Sequence, residues 1–173
     1  MSTCFADLLS DRQVTFIPGD AEQLSFPSGQ DLIVSCSALQ WFVSPEQFFK
    51  RCNALLSGHG YFAFSTFGKE NLKEIAAVTG SGLHYYSLEE LKKSLSMHYN
   101  IVTAGEERIR LTFATPLDVL YHLKHTGVTA VCRQAWTKGD LQEFCDKYAK
   151  LFSCGNAVTL TYHPLYIIAR KKP

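Results

Sequence analysis

No apolar run in this 173-residue sequence approaches the roughly 20 residues that a membrane-spanning helix needs. The first residues, Met1 to Asp7, contain no basic stretch followed by a long apolar run, so we expect no secretory leader. Charge bias is also missing, because 17 Lys and Arg residues stand against 16 Asp and Glu residues. This balance argues against nucleic-acid and membrane partners, and we expect a cytoplasmic chain.

The sequence also lacks the paired cysteines and clustered histidines of a metal or redox site. No C-x-x-C pair occurs among its six cysteines, and most lie in apolar stretches where a reduced thiol packs as a small hydrophobe. His122 and His125 are three residues apart on a predicted helix, but the pattern suggests no third ligand. We therefore expect reduced thiols and no metal. The cysteines are Cys4, Cys36, Cys52, Cys132, Cys145 and Cys154.

What is present is the composition of one globular domain, with 46% apolar and 13% aromatic residues. Asp31–Cys36 is a continuous apolar run, which is typical of a parallel strand covered on both faces. A helix is predicted from Ser44, as N-cap, to a stop at Gly58, and a strand over Tyr61–Phe67. This alternation predicts a largely parallel sheet with ligands beyond the carboxyl ends of its strands.

Weaker patterns complete the predicted elements. Residues 3–10 suggest a short helix and Val14–Ile17 a strand. Further strands are predicted around Arg108–Phe113 and from Val158 to Ile168. Further helices are predicted at about 70–78, 87–97, 116–125 and 137–152, the second opening with a capping box at Ser87 and Glu90. We interpret residues 69–152 as including a helical elaboration rather than a linker.

The segment Gly19–Pro27, with the sequence G-D-A-E-Q-L-S-F-P, carries a family resemblance. Together with Asp31–Ser35 it resembles the third and fourth strand ends of the seven-stranded S-adenosylmethionine methyltransferases. The resemblance implies a Rossmann-like α/β fold and S-adenosylmethionine as methyl donor. It also implies that Asp20 and Ala21 hold adenine, with the carboxylate accepting the exocyclic amine and the next backbone N–H serving a ring nitrogen.

The same resemblance assigns residues at and after the fourth strand end. Ser35, Gln40 and Trp41 would lie near the donor methyl and the methionine tail. Cys36 stands where the family commonly has Asn, which departs from the pattern at this end of the cofactor. For Trp41, an interpretation as a core residue is equally simple.

Four further segments narrow the resemblance to the malonyl-acyl-carrier-protein methyltransferases of biotin synthesis. Methyl transfer to a free carboxylate needs positioning rather than a general base, because the acceptor is already ionised at neutral pH. Two alternatives stay open: another small-molecule methyltransferase of this fold, or a non-catalytic module that binds a carrier protein or other partner. The segments are Leu39–Phe42, Ala63–Gly68, Thr112–Gly127 and Leu160–Ile168.

A malonyl-carrier substrate would need a basic group for its free carboxylate. Arg133 is our candidate because it lies in the otherwise apolar stretch 130–136, although an exposed loop arginine is the simpler interpretation. Other basic residues, at Lys92, Lys93, Lys147 and Lys150, could meet an acidic carrier helix or form ordinary solvated helix faces. The remaining candidates for the carboxylate are Arg108, Arg110, Lys124 and Lys138.

One family feature is missing from the sequence: no G-x-G-x-G-like turn follows a strand anywhere among its eleven glycines. We interpret residues 1–173 as the C-terminal two-thirds of the domain, lacking the first two βα units, and we expect this chain alone to be inactive. The resemblance implies that the absent strands would lie between Val14–Ile17 and Asp31–Cys36, and we therefore expect residues 1 to about 27 to be the least well placed part of the chain. The predicted core sheet comprises strands near 31–36, 60–67, 107–114 and 158–169.

Overall fold

The computed structural model describes residues 15–127 and 136–173, which contain seven strands in two sheets and five α-helices. The strands are β1 Gln30–Cys36, β2 Leu56–Phe67, β3 Tyr99–Glu106, β4 Ile109–Phe113, β5 Ser153–Cys154, β6 Ala157–Tyr162 and β7 Pro164–Lys171. The helices are α1 Pro45–Leu55, α2 Lys73–Thr79, α3 Leu88–Leu95, α4 Pro116–His125 and α5 Lys138–Phe152, and Leu39–Trp41 forms a 3₁₀ turn. In these two ranges no helix is long and apolar enough to cross a membrane.

The larger sheet has the strand order β1-β2-β7-β3, and of its three pairings only β1–β2 is parallel, whereas both pairings of β7 are antiparallel. The prediction of a largely parallel sheet is therefore wrong for the described strands. Strand β7 begins at the edge where β2 ends, since Phe67 pairs with Pro164, and it must run back antiparallel to both of its neighbours. Strand direction depends on such long-range connections, which an apolar run does not encode.

Strand β1 forms one edge of this sheet, and among the described strands it pairs only with β2. The predicted strand at Val14–Ile17 is wrong for residues 15–17, which lie in irregular structure. Val14 and the predicted helix at residues 3–10 lie outside the described residues.

The face of β1 that points away from α1 is uncovered by the described residues. Leu32 and Val34 are 56% and 58% exposed, whereas Ser35 on the other face is buried. The prediction that both faces of β1 are covered is wrong here, because a continuous apolar run reports the tendency to be buried and not the presence of a covering element.

The smaller sheet has the order β4-β6-β5 and is antiparallel throughout. The single predicted core sheet is therefore wrong in its grouping, because β4 and β6 belong to this second sheet. The predicted run 158–168 breaks at His163, where Pro164 lacks a backbone donor and the chain passes from one sheet to the other. Strand β3 was not predicted, because Asn100 and Thr103 interrupt its apolar residues in the sequence. Its residues are also only weakly alternating in burial in the structure.

Helix boundaries agree with the local sequence signals more closely than strand directions and sheet membership do. The capping box of Ser87 and Glu90 at the start of α3 is confirmed, and α4 and α5 begin with the same arrangement. The predicted stop of α1 at Gly58 is wrong, because the helix ends at Leu55 and β2 begins at Leu56, which pairs with Gln30. Glycine is needed nearby at Gly60, where a Cβ would lie 2.8 Å from the Gln30 carbonyl oxygen.

Two apolar cores result. The first core lies between the larger sheet and helices α1 and α3, with Phe62 and Leu95 fully buried. The second core lies among helices α2, α4 and α5 and the smaller sheet, centred on Tyr148 and Leu160. Burial of these side chains is the main term that stabilises each half of the fold.

Buried polar groups join the two cores along a seam. The Glu74 carboxylate of α2 accepts hydrogen bonds from the Thr161 N–H at 3.0 Å and from its hydroxyl at 2.5 Å. The His163 N–H donates to Asn71 Oδ1 at 3.2 Å, and His163 Nδ1 accepts the Glu70 N–H at 3.2 Å. The His163 ring packs so closely on Gly68 that a Cβ there would lie 2.6 Å from it. The seam is thus fixed by specific contacts.

Candidate functional site

A cavity of about 440 Å³ lies beside β1, between that strand, α1 and the segment 21–27. Its volume is within the usual range of small-molecule sites. Most of its walls are apolar, with Phe26, Ile33 and Phe42 among them, and Ser35 is one of the few polar residues that line it. The cavity suits a flat, largely apolar group held by a few polar contacts at its rim.

One wall of the cavity is a turn that begins at Asp20. The Asp20 carbonyl accepts the N–H groups of Gln23 and Leu24 at 3.0 and 2.9 Å. Its carboxylate Oδ1 accepts the Glu22 N–H at 2.9 Å. Asp20 is exposed on this turn, and Ala21, the next residue, lines the cavity.

Two long-range contacts clamp this turn onto α1. The Glu22 carboxylate accepts the Val43 N–H at 2.8 Å and the Ser44 N–H at 2.9 Å, and Arg51 Nη2 donates to the Leu24 carbonyl at 2.5 Å. Ser44 is the N-cap residue of α1, as predicted, but its side chain makes no capping bond. Glu22 supplies the negative charge that favours a helix N-terminus instead.

The 3₁₀ turn after β1 connects the ends of the two parallel strands. Gln40 Nε2 donates to the Ser37 carbonyl at 2.6 Å, and its Oε1 accepts the Thr66 hydroxyl at 3.2 Å. The Ser37 N–H in turn bonds the Ser65 carbonyl of β2 at 3.0 Å. Trp41 is 50% exposed and does not line the cavity.

The structure therefore brings together part of the predicted site. Ala21 and Ser35 line the cavity, Asp20 adjoins it, and Gln40 and Trp41 lie on the turn that follows β1. Arg133, the predicted substrate ligand, lies outside the described residues.

Sequence reasoning missed three residues of this site: Phe26, Phe42 and the clamping Glu22. Glu22 was visible as the fourth residue of the G-D-A-E motif, but its partners at Val43 and Ser44 lie more than twenty residues away. Phe26 and Phe42 lie in the segments that carry the resemblance and line the cavity beside Cys36. Only the three-dimensional contacts show that these residues lie around the cavity.

The ionisable groups around the cavity are suited to binding a ligand rather than to transferring a proton. Among the residues that the structure describes, its lining includes one permanent cation, Arg51, and no carboxylate or imidazole. Burial raises the pKa of the Cys52 thiol to about 12, so this thiol stays protonated and uncharged at neutral pH. The arrangement can hold and orient a ligand, and the described part of its lining supplies no general base.

The comparisons agree with this fold. The Methyltransferase domain family profile matches residues 1–64. A proposed methyltransferase from Bacillus halodurans C-125 aligns with a TM-score of 0.66 at 17% identity, covering 98% of this chain and 77% of its own. The Bacillus subtilis YcgJ protein aligns at 0.61 and 16% identity, covering 98% and 76%. The fold is that of the Rossmann-like S-adenosylmethionine-dependent methyltransferases.

Sequence relatives narrow this class. A malonyl-[acyl-carrier protein] O-methyltransferase of Bacteroides thetaiotaomicron is 56% identical over 182 aligned residues, which cover 99% of this chain and 70% of that protein. Proteins of the same name from Bacteroides fragilis and Bacteroides helcogenes are 58% and 55% identical, covering 96% and 92% of this chain and 34% and 59% of their own lengths. The chain belongs to the malonyl-[acyl-carrier protein] O-methyltransferase family.

Proposed function

We propose that this chain takes part in methyl transfer from S-adenosylmethionine to the free carboxyl of malonyl-acyl-carrier protein, a step of biotin synthesis in the cytoplasm. The observation that carries the proposal is the 56% identity, over 99% of the chain, to a relative with that activity in its name. The lining of the cavity supports it, because a carboxylate acceptor is already ionised and needs to be positioned rather than deprotonated.

The residues around the cavity fit the adenine end of this cofactor. Asp20 Oδ1 accepts one backbone N–H, so the carboxylate retains acceptor sites for an exocyclic amine. Phe26, Ile33 and Phe42 give apolar walls suited to a planar ring, and Ala21 lies at the rim. When bound, S-adenosylmethionine supplies an activated methyl group, and the turn clamped by Glu22 and Arg51 would hold its adenine.

The remaining assignments follow the direction of the strands. We propose that Ser35, Gln40 and Trp41 lie towards the methionine and methyl end, since β1 leads to them at its carboxyl end. Residues 69–152 would form the substrate side of the site, with Arg133 as a ligand of the acceptor carboxylate. Transfer would proceed by in-line attack of the carboxylate oxygen on the methyl carbon, with the protein contributing alignment.

We infer that these 173 residues alone bind the cofactor weakly, because the sequence contains no G-x-G-x-G turn to bring backbone amides against it. The expected affinity is about 100-fold below that of the Bacteroides thetaiotaomicron relative, or ~2.7 kcal/mol. Calorimetric titration of both proteins with S-adenosylhomocysteine measures the difference, and equal affinities would contradict the inference.

The activity itself is tested in a chimera in which this chain replaces the matching region of the Bacteroides thetaiotaomicron relative. Transfer of labelled methyl to malonyl-carrier protein, with none to acetyl-carrier protein, which has no free carboxyl, is the expected result. Methylation of free dicarboxylic acids or phenols in preference to the carrier-bound group would contradict the substrate assignment. Carrier binding with no turnover would favour a binding module.

A further inference from the structure

A second cavity, of about 340 Å³, lies at the seam between the two cores, and the five described residues that line it are all polar. Its walls come from α2 and the segment before it, from β4 and from β6. Three lining residues are cations, Lys73, Arg108 and Arg110, and one, Glu70, is a carboxylate. The fifth, Thr161, has its hydroxyl bonded to Glu74. These five residues together therefore carry a net positive charge.

Many donors of these cations remain available. Arg108 donates through Nε to Glu70 and through Nη1 to Glu106 at 3.2 Å, and Lys73 Nζ donates to Glu70 at 3.0 Å. Arg110 has no carboxylate partner within residues 15–127 and 136–173. A guanidinium has five N–H donors and an ammonium three, so the cavity holds more donors than Glu70 and Glu106 occupy.

Glu70 shows how an oxyanion is held at this cavity. Its two carboxylate oxygens bond separate cations, one oxygen Arg108 and the other Lys73. These two partners hold the pKa of Glu70 near 2, so the group is a carboxylate at any physiological pH. A ligand oxyanion would use Arg110 and would compete with Glu70 for the other two cations.

The cavity also lies near the edge of the larger sheet where β1 and β2 have their carboxyl ends. Glu70 is the third residue after β2 ends at Phe67, and Thr66, which bonds Gln40, is only four residues before it. Four residues span at most about 14 Å, so the cavity is within reach of an extended substrate lying across this edge. Ligands of open α/β sheets bind beyond the carboxyl ends of the strands.

We propose that Arg110, Arg108 and Lys73 form an oxyanion-binding subsite that takes a carboxylate or phosphate group of an elongated acyl thioester. The identity of that ligand rests on the proposed function, because a malonyl-carrier substrate has a carboxylate at its tip and a phosphodiester in its prosthetic arm. Oxyanion binding by the cavity does not rest on it.

The subsite is tested by titrating the 173-residue chain with malonate and with inorganic phosphate, followed by calorimetry or amide chemical shifts. Arg110→Gln is expected to weaken binding about tenfold, ~1.4 kcal/mol. Glu70→Gln is expected to strengthen it, because it releases Arg108 and Lys73 from a competing carboxylate. Lys50→Gln, on α1, removes one exposed positive charge elsewhere and should leave the affinity unchanged.

Thermal unfolding of each variant checks that the fold is retained. No saturable binding of either anion by the unmodified chain would overturn the subsite. Equal weakening by Arg110→Gln and Lys50→Gln would also overturn it, since attraction would then reflect net charge alone. Loss of affinity in folded Glu70→Gln would contradict the competition between Glu70 and the ligand.

Two further probes identify the source of the anion. Malonyl-N-acetylcysteamine has the carboxylate without the phosphate, and phosphopantetheine has the phosphate without the malonyl group. If Arg110→Gln lowers the affinity for one of these probes, the subsite takes the anionic group that this probe carries. If the variant lowers the affinity for neither probe, the subsite is overturned. Failure of the proposed function appears separately, as a chimera that methylates no carrier-bound malonyl group.

Discussion

Strands β1 and β6 show how differently the two cores are enclosed. Four consecutive residues of β6, Val158 to Thr161, are buried, so both faces of that strand are covered. In β1 only Ser35 is buried, and within the described part of the chain one edge and one face stay open. The second core is closed by the chain's own helices, whereas the first core is left open where its cavity lies.

We propose that this difference separates a cofactor-binding part of the molecule, at the first core, from a supporting part, at the second. An apolar wall without a covering element is a place where a flat ligand gains from burial. The second core instead braces the carboxyl edge of the larger sheet through Glu74, His163 and their partners. Under this proposal the first core binds the cofactor, and the second core supports the substrate side.

The largest expected effect compares the centres of the two cores. Phe62→Ala should lower the free energy of unfolding by about 3–5 kcal/mol, because Phe62 packs on the rings of Phe48, Phe49, Phe64 and Tyr99. Leu160→Ala in the second core should cost about 2–5 kcal/mol. Urea unfolding measures both, with Leu151→Ala, at a 57% exposed position, as the control. A loss below about 1 kcal/mol at Phe62 would mean that the first core is not well packed.

The next effect concerns the seam. Glu74→Leu removes the acceptor of the buried Thr161 N–H and hydroxyl, and should cost about 1–3 kcal/mol for each donor left without a partner. Restoring an acceptor with Glu74→Gln should recover part of that loss. A fully stable Glu74→Leu would show that apolar packing alone joins the cores.

A pH effect belongs to the first core. The pKa of Cys52 is raised by burial to about 12, whereas the unfolded chain ionises this thiol above about pH 8.5. The folded state then binds the proton more tightly, so stability falls as the pH rises through this window, by up to about 1.4 kcal/mol per pH unit. Urea unfolding at pH 8 and 10 should show the fall, and Cys52→Ala should reduce its slope. An unchanged slope in the variant would assign the fall to other groups.

Two buried tyrosines give a matched pair across the cores. Tyr99 donates its hydroxyl to the Phe49 carbonyl at 2.8 Å in the first core, and Tyr148 donates to the Thr159 carbonyl at 2.7 Å in the second. Each Tyr→Phe change should therefore cost about 1 kcal/mol. Clearly unequal losses would show that one core adapts to a missing hydrogen bond better than the other.

The smallest expected effect on stability comes from loosening the contacts by which Glu22 holds the turn at Asp20 against the start of α1. Glu22→Gln should cost about 0.5–1 kcal/mol and speed hydrogen exchange of the Val43 and Ser44 amides, because it removes the negative charge at the start of α1. Glu89→Gln, in the first turn of α3, is the matched control and should leave both amides unchanged. Equal exchange in both variants would remove Glu22 from the account of the site.

Local sequence patterns were enough to predict much of this fold. The start of α1, the capping box of α3 and strand β2 depend on residues close in sequence, and the pattern predicted each of them. The break at His163 and the direction of β7 depend on which sheet the chain joins, so periodicity could not reveal them. The same holds for the Glu22 clamp, whose partners are distant in sequence.

Titration of isotopically labelled protein with S-adenosylhomocysteine, followed by amide chemical shifts, tests the central claim most directly. We expect saturable shifts at Ala21, Ser35 and Cys36 around the first-core cavity, with the amides of Val158 to Leu160 in the second core unchanged. Asp20→Ala should weaken these shifts, because it removes the acceptor proposed for the adenine amine. The absence of saturable shifts, or shifts largest in the second core, would contradict the account.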